Sequence, residues 1–353
     1  MSETAVLGSI DVEELYPSLD IDSTVEMVCQ TFEESTIQFE GVNYAELGLY
    51  IALNNDAREM EGKGLSRVCP TRRNNSGRKP KITASGIRAQ RRDRFAPWIE
   101  ATQQPDEGQK RMMLTEAIRI ALNVIMKNHI YEYNQVLRRQ SRGGPIGMDL
   151  TGTVAKIFMK WWDKQLLQRM DEVGIAVPMY ERYVDDGNIC AEATQPGVRY
   201  ERGVERGRLV ESHRRAATEE DEPPDIRTFR VIQDIGNSIH HSIQVKIDVP
   251  SMNTDKKLPI LNLKTWMRTI ELEGRMRRKI VYEHYIKDVA SKYVIQRDSA
   301  MAISAKRTIL TQMCLRAMLN CSHYLGWATR KEHVEYFMKR MQASGYDEAD
   351  WKS

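Results

Sequence analysis

The 353-residue chain has no apolar run near the ~20 residues that cross a bilayer as a helix. Its N-terminus also lacks a basic start followed by an apolar core, so we expect no secretory signal. Five scattered cysteines include no C-x-x-C pair, which argues against a disulfide framework or zinc site and favours reduced thiols. These absences predict an intracellular protein with no membrane partner, either nuclear or cytoplasmic.

Strong net charge is missing as well. The formal charge is only +3, so any case for nucleic-acid binding depends on how the charges are distributed. Residues 62–92 hold ten Lys or Arg and no Asp or Glu, mixed with Gly, Asn, Ser and Pro. This composition predicts a flexible basic insert over 62–108, and we interpret it as a solvated loop. A second charged stretch, 193–225, is predicted to be a surface excursion.

Apolar periodicity predicts a mixture of helices and short strands. Strands are predicted near residues 5–10, 243–249, 260–267 and 279–285, with hairpins at 131–140 and 180–190. Helices are predicted near residues 23–34, 43–60, 110–128, 149–173, 225–242, 302–320 and 331–344. For the first helix, Asp22 or Ser23 is the expected N-cap, with Glu26 completing a capping box.

The sharpest chemical signal is Tyr183-Val184-Asp185-Asp186, with Asp185-Asp186-Gly187 expected at the turn of a hairpin. Adjacent carboxylates repel each other unless a cation lies between them. Mg²⁺ favours carboxylates together with water and phosphate oxygens. Two-metal phosphoryl transfer needs such a cluster, although an ordinary Asp-Asp-Gly turn is about equally consistent with these residues alone.

A second carboxylate, Asp11, follows an apolar strand far away in the sequence. A strand that runs beside the hairpin in one sheet would bring Asp11 to the Asp pair. Tyr16 comes five residues later, where a flat aromatic ring could lie under a sugar and exclude a 2′-hydroxyl. Turn or cap roles are the alternatives for a lone Asp at a strand end.

A third signal is the glycine-rich segment before the long helix: Gly143, Gly144, Pro145 and Gly147. Glycine lets backbone approach a ligand closely, and a helix N-terminus favours anions. A helix-entry loop is the alternative, but the order of the three signals along the chain favours a nucleotide site.

Taken together, these segments resemble the reverse-transcriptase family. "IDVEELYPSL" is similar to its first-aspartate motif, "GGPIG" to its template- and nucleotide-gripping loop, and "RYVDDGNI" to its YxDD turn. Further along, "LPILNLKTWM" and "VYEHYIKDVASKYV" resemble the strand after the palm and the primer-grip region of Penelope-like retroelements.

The resemblance implies a role for each matching residue. Asp11, Asp185 and Asp186 match the triad that binds two Mg²⁺ ions, for which Mn²⁺ can substitute. Tyr16 matches the sugar-discriminating residue. The nucleotide- and template-binding positions are Tyr16, Gly143, Gly144, Pro145, Gly147 and Tyr183. Lys246 and Lys256 are both candidates for the lysine that protonates pyrophosphate.

The resemblance also implies an α+β fold, a palm with a small antiparallel sheet and packed helices followed by a helical thumb. The expected divisions are 1–61 (first part of the palm), 62–108 (basic flexible insert), 109–270 (palm with the excursion 193–225) and 271–353 (primer-grip region and helical thumb). The chain begins almost at the first-aspartate motif, so we expect the fingers that precede it in the family to be missing.

The function implied is RNA-directed DNA synthesis, with an RNA or DNA template, a primer and deoxynucleoside triphosphates as partners. One alternative is an RNA-dependent RNA polymerase, against which Tyr16 argues. Another is a catalytically incomplete or domesticated retroelement remnant that binds nucleic acid without turnover. A scaffold with a chance YVDD turn would require three ordered motifs to coincide.

Overall fold

The computed structural model describes residues 1–48, 50–51, 105–140, 142–145, 147–202, 207–211, 222–287, 293–347 and 350. The basic stretch 62–92 lies outside the described residues, as does all of the predicted insert 62–108 except 105–108. Of the helix predicted over 43–60, residues 43–48 and 50–51 are described, and 44–48 and 50–51 are helical.

The described residues alternate between helices and short strands. The strands are β1 (Ala5–Val12), β2 (Ile130–Tyr133), β3 (Val136–Arg139), β4 (Met179–Tyr183), β5 (Asp186–Glu192), β6 (Val198–Arg202), β7 (Gly207–Glu211), β8 (Val245–Asp248), β9 (Leu258–Ile260), β10 (Leu263–Leu272) and β11 (Arg275–His284). The helices are α1 (Leu15–Ser18), α2 (Ile21–Glu34), α3 (Glu107–Lys127), α4 (Asp149–Glu172), α5 (Pro224–Ile239), α6 (Ile303–Leu319) and α7 (Gly326–Ala343). Most predicted strands and helices within the described residues are confirmed, with shifts at their ends. The strand predicted over 260–267 is instead divided between the end of β9 and the start of β10, and the last helix begins at Gly326 rather than near residue 331.

The chain divides into two compact units. The first comprises Met1–Glu13 and Asp163–Ser353, and the second comprises Glu14–Trp162. In the first unit, four strands form an antiparallel sheet in the order β4-β5-β1-β8. The earliest strand of the chain therefore lies in the middle of this sheet, between strands that come much later.

One face of this sheet packs against helix α5. A Cβ added at Gly8 of β1 would lie 2.6 Å from the Phe229 ring and 2.7 Å from Val249. Any side chain at position 8 would therefore collide with fully buried Phe229. Glycine here lets the helix and the central strand approach each other closely.

Within the described part of the chain, the opposite face is covered at one end only. Leu7 and Cys190 of the four-stranded sheet form a core cluster with Leu258, and Met267 and Ile280 of the second sheet pack against it. That second sheet has the order β11-β10-β9. These contacts bury the part of the face near the start of β1, and Asp11 near the end of β1 is exposed.

The remaining part of the first unit includes the helices α6 and α7. Phe337 and Met341 of α7 are buried with Tyr346, and Leu310 and Met313 of α6 pack against them. In the predicted excursion 193–225, β6 and β7 pair as a hairpin, while residues 203–206 and 212–221 are outside the described part. Among the described helices, none combines the length and apolarity that crossing a membrane requires.

In the second unit, helices α2 and α3 pack together. Their shared core consists of buried apolar side chains from both helices and one from α4: Ile21, Val25, Cys29, Leu122, Met126 and Val154. Helix α3 begins with a capping box between Asp106 and Gln109. The predicted hairpin near 131–140 is confirmed as β2–β3.

The predicted N-cap of α2 was wrong. The helix starts earlier, with Asp20 as the N-cap, and its carboxylate accepts a 3.1 Å hydrogen bond from the Ser23 amide. Glu26 makes an ion pair with Arg119 instead of completing a capping box. Because Asp20 already satisfies the exposed amide of the first turn, the helix gains nothing by starting at Asp22 or Ser23.

The predicted turn of the β4–β5 hairpin was off by one residue. Tyr183 pairs with Asp186, so Val184 and Asp185 form the two-residue connection and Asp186 begins β5. Gly187 lies within the strand, where an added Cβ would be 2.8 Å from the Ile10 side chain. Its small size thus serves packing against β1 rather than the turn. The expectation of an α+β chain with small antiparallel sheets is confirmed.

Candidate active site

Two of the predicted carboxylates are direct neighbours across the central strand pair. In the antiparallel register of β1 and β5, Asp11 lies opposite Asp186. Residues directly opposite each other in such a pair point to the same face and have Cβ atoms ~4.5–5.5 Å apart. Strand pairing alone thus brings together Asp11 and Asp186, which are far apart in the sequence.

The same row extends across all four strands of the sheet. Tyr183 on β4 lies opposite Asp186, and Lys246 on β8 lies opposite Asp11. Since opposite residues share a face, Tyr183, Asp186, Asp11 and Lys246 form one polar row. We call these four residues the acidic row. Tyr183 and Asp11 are exposed and Asp186 is half-buried.

Asp185 sits in the turn at the end of this row. The Asp185 carbonyl accepts a 3.2 Å hydrogen bond from the Val12 amide, which ties the turn to the residue after Asp11. Among the described residues, the three carboxylates are not gathered into one group whose ligand atoms all lie within 4.8 Å of one another.

Burial and mutual repulsion perturb the acids. The pKa of Asp11 is raised, first by burial and then by the charges of Asp186 and Asp185, against the lowering effect of Lys246. The pKa of Asp186 is raised by burial and by Asp185. The folded chain thus holds negative charge here at a cost, which a bound cation would relieve. Carboxylates on an open face are a donor set that fits Mg²⁺ or Mn²⁺.

The two candidate lysines lie in different surroundings. Lys246 is in the acidic row, and it also makes an ion pair with Glu13 that raises its pKa. Lys256 instead donates a 3.1 Å hydrogen bond to the carbonyl of Ser251. Only Lys246 is therefore placed beside the acids by the strand register.

Residues that the sequence analysis did not single out support the turn. Arg182 donates from Nε to Asp163 Oδ1 at 2.8 Å and from Nη2 to Asp163 Oδ2 at 2.7 Å. Its third nitrogen, Nη1, donates to the carbonyl of Val184. The Tyr180 hydroxyl also donates a hydrogen bond to Asp163, and burial raises the pKa of this tyrosine. Asp163 is on α4, so sequence spacing gave no sign of this pairing.

The glycine segment and Tyr16 lie together in the second unit. The amide of Gly144 donates a 2.8 Å hydrogen bond to the carbonyl of Tyr16. Gly143 has a φ of +76°, and a Cβ there would lie 2.5 Å from the carbonyl oxygen of Pro17. Gly143, Gly144 and Pro145 are buried. The two glycines therefore allow other parts of the protein, rather than a ligand, to approach their backbone closely.

Gly147 differs from the other members of the segment. It is exposed, with a φ of +92° and nothing within 4 Å of an added Cβ. Of the three glycines in this segment, Gly147 is the one with open space beside its backbone. A ligand could approach the main chain there without displacing any protein atom.

Comparison with known proteins adds no family assignment. No protein-family description, curated protein or solved structure matches the chain.

Replacing Asp186 with Asn should raise the thermal midpoint at neutral pH, with a gain of no more than about 1 kcal/mol because solvent screens the half-buried charges. An acid with a raised folded-state pKa contributes stability below its unfolded-state pKa and loses it as pH rises through the folded value. The advantage of Asp186→Asn should therefore be small below the ordinary Asp pKa of about 3.9 and larger at neutral pH, as followed by circular dichroism.

The matched control is Asp255→Asn. Its hydrogen bond from Lys264 lowers the pKa of Asp255, so the sign is reversed and the variant should be the less stable one near pH 7. A stability difference between Asp186→Asn and wild type that does not change with pH would contradict the proposed repulsion.

Gly143→Ala should destabilise the protein by about 2–4 kcal/mol, from the left-handed backbone and the collision with Pro17. Gly147→Ala is the control, because it shares the positive φ but has open space, and it should cost only about 1 kcal/mol. Thermal unfolding of both variants measures the difference. Equal losses would mean that close approach to Pro17 is not what position 143 requires.

Proposed function

We propose that the chain is an RNA-directed DNA polymerase of the reverse-transcriptase type, which transfers a nucleotide to a primer 3′-hydroxyl. The observation that carries the proposal is the register that sets Asp11 opposite Asp186, with Asp185 in the adjoining turn. Three segments resemble the reverse-transcriptase site. Strand pairing brings two of them together, the first-aspartate motif and the YxDD turn. The four-stranded sheet with α5 would form a palm, and α6 with α7 a thumb.

Asp11, Asp185 and Asp186 would hold two Mg²⁺ ions, or Mn²⁺ in their place. Such ions lower the pKa of the attacking hydroxyl and neutralise charge on the leaving pyrophosphate. The protein's own contribution would be to hold Asp11 and Asp186 at one end of the sheet, with Asp185 in the adjoining turn. The raised pKa values of Asp11 and Asp186 indicate that this site favours binding of positive charge.

Lys246 is the better of the two candidates for the proton donor to pyrophosphate. Its position opposite Asp11 puts a cationic N–H donor in the acidic row. Tyr183, at the other end of the row, offers an exposed aromatic ring for contact with a primer or template base. The positions of both residues in the acidic row support these roles, in addition to the resemblance.

Tyr16 and the glycine segment would form the sugar- and template-contacting part. The Gly144–Tyr16 hydrogen bond ties the glycine segment to the backbone of Tyr16. The Tyr16 ring would reject a 2′-hydroxyl by occupying its space. Gly147, with open space beside it, would allow nucleotide or template backbone to approach.

A second candidate is a protein that binds primer and template without turnover. The separation of the three carboxylates favours it, because catalysis requires them to share cations. The two candidates make the same prediction for nucleic-acid binding and opposite predictions for nucleotide incorporation.

The test is incorporation of deoxynucleotides on an RNA template with a DNA primer, in Mg²⁺ and in Mn²⁺. Wild type should extend the primer, and Asp185→Asn should lower the rate by at least about a thousandfold, because a metal ligand is lost while the fold is kept. Asp255→Asn removes an acid of the same unit outside the acidic row and should extend normally.

No extension by folded wild type that still binds primer and template would refute the polymerase and favour the non-catalytic candidate. Equal extension by wild type and Asp185→Asn would instead mean that this carboxylate has no part in the reaction.

Discrimination between sugars tests Tyr16 separately. Tyr16→Ala should raise the efficiency of ribonucleotide incorporation relative to deoxynucleotide incorporation by at least about tenfold, because the space for a 2′-hydroxyl is opened. Tyr16→Phe keeps the ring and should stay close to wild type. Wild type that already prefers ribonucleotides would favour an RNA-dependent RNA polymerase instead.

A further inference from the structure

The conformation of Val184 needs an explanation. Val184 is the first residue of the β4–β5 connection and has a φ of +59°. A β-branched residue is a rare outlier in this left-handed region, which Gly and Asn adopt far more easily. Such a conformation persists only where the surroundings enforce it, and it occurs most often at functional sites.

Arg182 is placed to enforce it. The Nε and Nη2 groups of the guanidinium donate to Asp163, and Nη1 donates to the carbonyl of Val184. The Arg182 side chain is 11% exposed and that of Asp163 is 18% exposed, so solvent screens this pair only weakly. A planar guanidinium can donate to the carboxylate from two nitrogens and to the Val184 carbonyl from the third, which a lysine could not reproduce.

The next residue is the candidate metal ligand Asp185. Its carbonyl accepts the Val12 amide, so the turn is held at two points, by Arg182 at Val184 and by β1 at Asp185. If Val184 returned to an ordinary backbone conformation, the peptide that leads to Asp185 would rotate and the direction of its side chain would change.

We propose that Arg182, anchored by Asp163, is a positioning residue that holds Val184 in the left-handed conformation and thereby directs Asp185 toward Asp11 and Asp186. This inference rests on the proposed function for its purpose, but the mechanical claim concerns the turn alone. It predicts that the arginine becomes dispensable when residue 184 adopts the left-handed conformation without support.

The variants follow from that statement. Arg182→Lys keeps a cation beside Asp163, so the fold is retained, but it loses the fork that serves Asp163 and Val184 together. Val184→Gly makes the left-handed conformation easy. The double variant Arg182→Lys/Val184→Gly distinguishes positioning from general stabilisation, because glycine at 184 restores the turn but cannot replace the hydrogen bonds to Asp163 that the lysine loses.

The first readout is hydrogen exchange of the Val12 amide, with the Leu7 amide in the middle of β1 as the internal reference. Arg182→Lys should speed exchange at Val12 by at least about tenfold and leave Leu7 within about twofold of wild type, since only the turn opens. Val184→Gly in the Arg182→Lys background should return Val12 to the rate of Val184→Gly alone. Exchange at Val12 that is unchanged in Arg182→Lys, or not rescued by Val184→Gly, would overturn the proposal.

The second readout is Mn²⁺ affinity, measured on the same four proteins. Arg182→Lys should weaken binding by about tenfold, with rescue by Val184→Gly, because a misdirected ligand is worth less to the ion. If wild type binds no Mn²⁺, the proposed function is refuted. The hydrogen-exchange result would still decide the role of Arg182. Tight binding by wild type and Arg182→Lys alike, with equal exchange at Val12, would overturn the role of Arg182 and leave the proposed function standing.

Discussion

The pairing of β1 with β5 is the constraint on which the rest depends. Side chains alternate between faces, so a slip of one residue would replace Asp11 by Ile10 or Val12 on the acidic face and bury a carboxylate on the other. Two close approaches hold the register, Gly187 against Ile10 and Gly8 against Phe229. Each admits no side chain at the glycine position. The contact of Gly187 with Ile10 lies across the β1–β5 pair itself, and that of Gly8 seats β1 against α5, so close packing at small residues supports the alignment of acids that are far apart in the chain.

The same sheet also explains why the acids lie where they do. Near Leu7 its acidic face is covered by the second sheet, and toward Asp11 it opens to solvent. The carboxylates thus stand at the border of a packed core, where burial raises their pKa values without removing them from solution. A fully buried cluster would be neutral and a fully solvated one would repel weakly. The border position keeps both charge and repulsion, which a bound divalent cation would relieve.

Much of this arrangement could be predicted from the sequence, and the exceptions have physical causes. The strand before Asp11, the long helix before the hairpin and the antiparallel character follow from hydrophobic periodicity and turn residues. The position of the turn could not be settled, because Gly187 looks like a turn residue and its packing partner Ile10 is 177 positions away. The pairing of Arg182 with Asp163, and the choice of Lys246 over Lys256, depend on which side chains the fold sets face to face. Local patterns contain no information about such pairs.

The central claim is that Asp11 and Asp186, from distant parts of the chain, act as one cation site. The most direct measurement is a Mn²⁺ titration followed by electron paramagnetic resonance, on wild type, Asp11→Asn, Asp186→Asn and the double variant. The account predicts that each single change weakens binding strongly and that the double variant is scarcely weaker than either, since both remove ligands of the same ions. Independent, additive effects, or Mn²⁺ binding equal to wild type in all three variants, would contradict it.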